Sequence, residues 1–203
     1  MSRFNQISDP SGNPKLERLY KDILDHGLGA DSPGGWFTAQ SERPDILEAT
    51  WGLFKGILLQ GVLPPTVKEM ISMTIAMQND CRYCTVAHTK ALEAMGVPAE
   101  VIRSCARDPE LTEVPPTQRA ILKFGLKTAQ NPKSITDEDF RTLRDQGLTD
   151  GEIMEIVMLA ACSNFLDTWA DVSGIPLDRD EDSSGEDEKR KDVSIRASQG
   201  SLK

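Results

Sequence analysis

Cys81, Cys84 and His88 occupy i, i+3 and i+7 of the sequence NDCRYCTVAHTK, positions that stack on one face if the chain is helical after residue 80. A C-x-x-C pair at a helix start is equipped for thiol redox chemistry. The helix N-terminus and a nearby imidazole both lower a thiol's pKa and so favour the nucleophilic thiolate. Cys84 is the better candidate for the attacking thiol, because His88 follows it by one turn. His88 is then its base or proton shuttle, and Cys81 the partner that closes a disulfide. A peroxide would oxidise the attacking thiol to a sulfenic acid, which the second thiol resolves. Glu69 precedes Cys81 on the preceding helix, and an antiparallel hairpin would bring it beside His88 to orient the ring. Glu69 has a competing role, since Thr66-x-x-Glu69 also reads as a capping box. Tyr83 is a possible site neighbour, as a hydrogen-bond donor or as a cover.

Zinc is the alternative use of these donors, and a structural zinc site wants four of them. The only other histidine is His26 and there is no second C-x-x-C, so Cys105, Cys162 or a carboxylate would have to complete the set. The expectation is no metal and no cofactor beyond a redox-active Cys81–Cys84 disulfide. Cys105 and Cys162 read as packed thiols, Met70, Met73, Met77, Met154 and Met158 as core filler, and His26 as a helix C-terminal residue meeting the dipole.

The elements that must position the pair are helices. Leu16, Leu19, Tyr20, Ile23 and Leu24 recur at helical spacing before Gly27, and a Gly/Ser/Pro-rich loop then delivers Trp36 and Phe37 as anchors. Pro44 opens a helix with a broad apolar stripe (Ile46, Leu47, Trp51, Phe54, Ile57, Leu58) ending at Gly61, expected to be well buried. Thr66 starts the helix that leads to the cysteines, and the C-x-x-C helix ends at Gly96. A short helix through Val101, Ile102 and Cys105 stops before Pro109. Further helices follow Pro115-Pro116, Thr136, and the Thr149-x-x-Glu152 capping box, which opens the most apolar segment. No stretch alternates as a strand does, so the expected class is all-α. Thr66, Glu69, Ile71 and Met73 echo Thr149, Glu152, Met154 and Ile156 at a constant offset, suggesting two similar helix pairs about a pseudo-dyad. That offset places Cys81, Cys84 and His88 on Asn164, Asp167 and Asp171.

The formal net charge of −9 is not an effect of the C-terminal segment, because residues 178–203 contribute only −2 of it. Such a body repels phosphate backbones, which argues against nucleic-acid partners. MSRFNQISDPSG lacks the apolar core of a secretory signal, and no apolar run approaches the ~20 residues that span a bilayer. A cytoplasmic protein with no membrane partner is expected, in a compartment where thiols stay reduced. The expected organisation is an N-terminal helix and Gly/Pro-rich loop (1–42) packing on a helical domain (43–177), followed by a disordered charged tail (178–203).

Glu69, eleven residues, then C-x-x-C-x-x-x-H resembles the active-site pattern of the alkylhydroperoxidase D (AhpD)-like proteins of the carboxymuconolactone decarboxylase superfamily. The likeness extends from about Arg43 to Trp169, including G-V-L-P-P before Glu69 and N-F-L-D near the end. It implies an AhpD-like all-helical fold, homo-oligomers (trimers or hexamers), and reduction of a small hydroperoxide at the expense of a dithiol reductant of protein or lipoyl type. By position it makes Cys84 the peroxidatic thiol, Cys81 the more exposed thiol that exchanges with the reductant, and Glu69 and His88 a proton relay. The AhpD enzymes proper have a histidine before the second cysteine where this chain has Tyr83, which places it nearer the peroxidase-related branch. The superfamily also includes carboxymuconolactone decarboxylases, a lyase alternative that generally lacks the paired thiols. A non-catalytic helical assembly module is the third reading.

Overall fold

The computed structural model describes residues 2–29, 31–107 and 114–177. The charged segment from 178 onward and the stop expected before Pro109 lie outside them. The described residues form α1 (Pro14–Asp25), α2 (Gly35–Thr38), α3 (Pro44–Phe54), a π-helical turn (Lys55–Leu59), α4 (Pro65–Gln78), α5 (Arg82–Ala94), α6 (Ala99–Arg107), α7 (Pro116–Gln130), a 3-10 turn (Pro132–Ser134), α8 (Asp137–Asp145) and α9 (Asp150–Ser173). Among these residues there is no strand, only the isolated bridge between Gly29 and Pro33, so the class is all-α.

The organising element is α4, whose residues from Val67 to Ala76 are all buried. A helix enclosed on every side must find partners for its polar residues. Lys68 pairs with Glu155 of α9, Glu69 with His88 of α5, and Ser72 accepts from the Ser163 hydroxyl at 3.2 Å. On one side α4 packs against α7 and the first half of α9, where Gly125 lets the helices approach. A Cβ there would sit 3.2 Å from Ile71 Cγ2. On the other side α1, α2 and α3 form a second core cluster with Cys81, Cys84 and the later turns of α9. Trp36 fastens this layer: its indole N–H donates to the Leu166 carbonyl at 3.1 Å, and its own carbonyl accepts the Trp169 indole N–H at 3.1 Å.

Four sequence expectations change. Thr66 is not an N-cap: Pro64 holds that position and Pro65, its φ fixed, starts the helix two residues early, which frees Glu69 from capping. The capping boxes at Thr136 and Thr149 do form. The segment after Pro44 is not a fully buried single helix. It widens into the π turn at Lys55, and Ile46, Leu53 and Leu59 are exposed. Met154 and Met158 are also exposed rather than core residues, because α9 is apolar on both faces and only one meets the core. The pseudo-dyad fails too. Where α4 and α5 break at Asn79 and Asp80, the latter in left-handed backbone at φ 56°, the equivalent stretch of α9 runs on unbroken. α9 is long and apolar enough to cross a membrane, but half of its most apolar window is buried within the fold.

Candidate active site

The turn at Asn79–Asp80 folds α5 back along α4 and makes Cys81 the N-cap residue of α5. Cys84 and His88 follow on the face turned inward, and both are buried. The hairpin brings His88 Nδ1 to 2.7 Å from Glu69 Oε2. A carboxylate oxygen accepts there, so the proton lies on Nδ1 and Nε2 is left for exchange.

Cys84, His88, Glu69 and Tyr83 line a cavity of about 270 Å³. Its remaining wall is largely apolar, with Trp36, Phe37, Phe54, Leu58, Leu59 and Leu166. Ala87 and Lys90, both exposed, stand at its mouth. The π turn supplies Leu58 and Leu59, a use of π geometry common at functional sites. Tyr83 both covers and fastens the site, since its hydroxyl accepts the Trp36 backbone N–H at 3.3 Å. A larger groove of about 960 Å³ between α7 and α8 holds no thiol and lies away from this chemistry.

The two thiols differ in a way that reverses one expectation. Cys81 is the less accessible, at 0% exposure against 4% for Cys84, and Cys81 is not among the cavity-lining residues. As the N-cap residue it turns under α9, where its thiol approaches the Asp167 carbonyl at 3.9 Å. The second reversal concerns Cys84. A hydrogen bond with Cys81, burial and the negative charge of Asp167 push its thiol well above the ordinary value, outweighing the helix terminus. At rest Cys84 is protonated.

Asp167 is the site residue that the motif does not reveal. It is 3% exposed, accepts from Asn79 Nδ2 at 2.7 Å, and is hydrogen-bonded by the Cys84 thiol. Burial raises its carboxyl above the ordinary range, against the hydrogen bonds of Cys84 and Asn79 and the charge of His88. Its only sequence signal was its place opposite Cys84 in the α4/α9 echo. One donor atom each from Cys81, Cys84 and Asp167 lie within 4.8 Å of one another, a spacing that a soft cation could bridge. Three donors are one short of a closed structural zinc site, and we assign no metal to them. Cys162 lies apart, buried, with its thiol pushed up to about 11 by burial; Cys105 is buried as well.

Residues 44–125 match the carboxymuconolactone decarboxylase family. The fold is similar to an alkylhydroperoxidase AhpD-core, peroxidase-related protein from Ralstonia eutropha, with 26% identity, 88% of this chain and 93% of that one covered, and a TM-score of 0.79. A peroxidase-related protein from Silicibacter sp. shares 20% identity over 89% of this chain and 97% of that one, at a TM-score of 0.75. The debrominase Bmp8, seen with 2,3,4-tribromopyrrole, shares 21% over 88% and 94%, at 0.72. No curated protein matches the sequence. Over residues 44–125 the chain carries the carboxymuconolactone decarboxylase family pattern, and its fold is AhpD-like.

Proposed function

We propose that the protein is a thiol-dependent peroxidase, or more broadly a thiol-disulfide oxidoreductase, working through Cys81 and Cys84. The observation that carries this reading is the convergence of Cys84, His88 and Glu69 on one largely apolar cavity, with a second thiol in hydrogen-bonding reach of the first. His88 Nε2 takes the Cys84 proton as the sulfur attacks the peroxide, and returns it to the departing alkoxide, giving an alcohol and a sulfenic acid at Cys84. Glu69 holds the ring in the tautomer that this requires. Cys81 then attacks the sulfenic sulfur, expelling water and forming the disulfide. A dithiol returns both sulfurs to thiols and leaves as its own disulfide.

The aromatic wall favours an organic hydroperoxide over hydrogen peroxide. Self-association belongs to the same proposal. Met154, Met158, Phe165 and Val172 form an exposed apolar stripe along α9, the kind of surface that meets another copy.

The test is a thiol titration before and after one equivalent of cumene hydroperoxide. Loss of two thiols in the wild type, one in Cys81→Ser and none in Cys84→Ser supports the reading. Four free thiols after the dose would sink it. Parallel assays with a carboxymuconolactone and with a brominated pyrrole test lyase and dehalogenase chemistry at the same cavity.

A further inference from the structure

Turnover releases two thiol protons, but the cavity accounts for one. His88 and Cys84 face it together, whereas Cys81 is fully enclosed on the inner side, between the start of α5 and α9. The proton of Cys81 therefore needs its own acceptor. The carboxylate placed for this is Asp167, whose oxygen lies within 4.8 Å of both sulfurs. It is hydrogen-bonded by Cys84 and held by Asn79 at 2.7 Å. We infer that Asp167 is the acid–base residue of the inner thiol, and that the reductant consequently enters at Cys84 rather than Cys81. The inference rests on the dithiol reading above.

The steps balance. During disulfide formation Asp167 accepts the Cys81 proton as that sulfur bonds to the Cys84 sulfenic sulfur, and the hydroxide leaves as water with a proton that His88, having given its first to the alkoxide, takes up from solvent at the cavity mouth. During reduction a thiolate of the dithiol donor attacks Cys84 from the cavity. The S–S bond breaks, its electron pair goes to Cys81, and Asp167 returns the proton. The second donor thiol then releases Cys84 and departs as the donor disulfide. Burial favours a neutral carboxyl at Asp167, so it can hold a proton between these steps. The groups that face it are Asn79 at the end of α4, Cys81, Cys84 and His88 around α5, and Asp171 on α9 itself. Of these, only Asp167 is a base on the enclosed side.

The experiment starts from the Cys81–Cys84 disulfide made with diamide, so that peroxide is not needed, and follows its reduction by dithiothreitol in EDTA across pH. Asp167→Asn, which is nearly isosteric, should reduce more slowly by on the order of 10²-fold and lose one inflection of the pH profile. Asn79→Ala keeps the carboxyl but removes a hydrogen bond that lowers its pKa, so that inflection should move to higher pH. A purely structural role for Asp167 predicts neither change. Mass spectrometry of the trapped mixed disulfide should find the donor on Cys84. Wild-type rates and profiles in both variants, the donor trapped on Cys81, or no disulfide after diamide would each overturn the inference. A normal Asp167 effect in a protein that ignores peroxides would instead remove only the peroxidase reading.

Discussion

Glu69 and His88 lie 19 residues apart in sequence and 2.7 Å apart in space. The contact exists because α4 and α5 form a hairpin, and it turns a helix-start carboxylate into the orienting partner of a buried imidazole. His88→Ala should slow peroxide-driven disulfide formation by on the order of 10²-fold. Glu69→Gln should cost about tenfold, because the base remains while its tautomer and aim are no longer fixed. Stopped-flow thiol oxidation with circular dichroism on the same samples checks both. If Glu69→Gln oxidises at the wild-type rate, the contact is packing and no more.

The thiols should separate by pH. Burial holds the Cys162 thiol up to about 11, so it stays protonated and inert at neutral pH and becomes reactive only as pH approaches that value. Cys162→Ala and Cys105→Ala should leave peroxide consumption within about twofold of wild type, whereas Cys84→Ser abolishes it. Mass mapping of alkylated cysteines in the native protein provides the measurement. Rapid labelling of Cys162 at neutral pH would contradict its enclosure.

Asp167 should reduce stability in the state that makes it useful. Burial raises its folded-state pKa, so folding binds a proton that the unfolded chain gives up at lower pH. The stability of the fold is then full below the ordinary carboxylate range and declines as pH rises from that range to the raised value. Asp167→Asn lacks this loss. Urea titrations of the reduced proteins should show the variant gaining over wild type on the neutral side and the two converging in acid. Equal stability across pH would mean that burial does not raise the carboxyl.

The local parts of this site are legible in sequence and the long-range part is not. Cys81, Cys84 and His88 fall on one face by spacing alone, and Glu69 needs only a hairpin to reach them. Asp167 lies on a different helix, and no local pattern sets one buried carboxylate apart from the other acids of α9. Thr66 misled because a proline just before it starts the helix earlier, a steric choice that the capping pattern does not contain. The family resemblance made Cys81 the more exposed thiol; α9 laid across it is a tertiary fact. Met154 and Met158 could not be sorted from the core methionines because the outer face of α9 also carries large apolar residues, Phe165 and Val172 among them.

That outer face makes its own prediction. Met154, Met158, Phe165 and Val172 are 66%, 47%, 42% and 59% exposed and recur along one side of α9. If this stripe joins copies of the chain, light scattering should give a mass that is a multiple of 22.4 kDa. Phe165→Glu together with Met158→Glu should then drive the protein toward monomer with its helical signal intact. A wild type that is already monomeric at micromolar concentration would refute the self-association proposal.

The cavity wall depends on a buried ion pair. Lys68 pairs with Glu155 and donates to the carbonyls of Ile57, at 3.1 Å, and Gln60; these residues lie within and beside the π turn that carries Leu58 and Leu59. Glu155 in turn accepts the amides of Val62 at 2.8 Å and Leu63 at 3.3 Å. Burial alone would raise the Glu155 carboxyl, but Lys68 and the two amides overcome it and hold the group below its ordinary value. Gly61 completes the arrangement, with φ at 115° and no room for a Cβ beside the Glu155 carboxylate. Lys68→Met should therefore cost about 3–5 kcal/mol, because it leaves a buried charge uncompensated. Adding Glu155→Gln should recover part of that loss, since the amide side chain still accepts from Val62 and Leu63 but carries no charge. Loosening the π turn should raise KM for an organic hydroperoxide more than it lowers kcat, because the wall binds the substrate body while Cys84 and His88 stay in place. Denaturant titration and steady-state kinetics on the single and double variants decide it: a double variant less stable than Lys68→Met, or an unchanged KM, would show that the pair does not hold the wall.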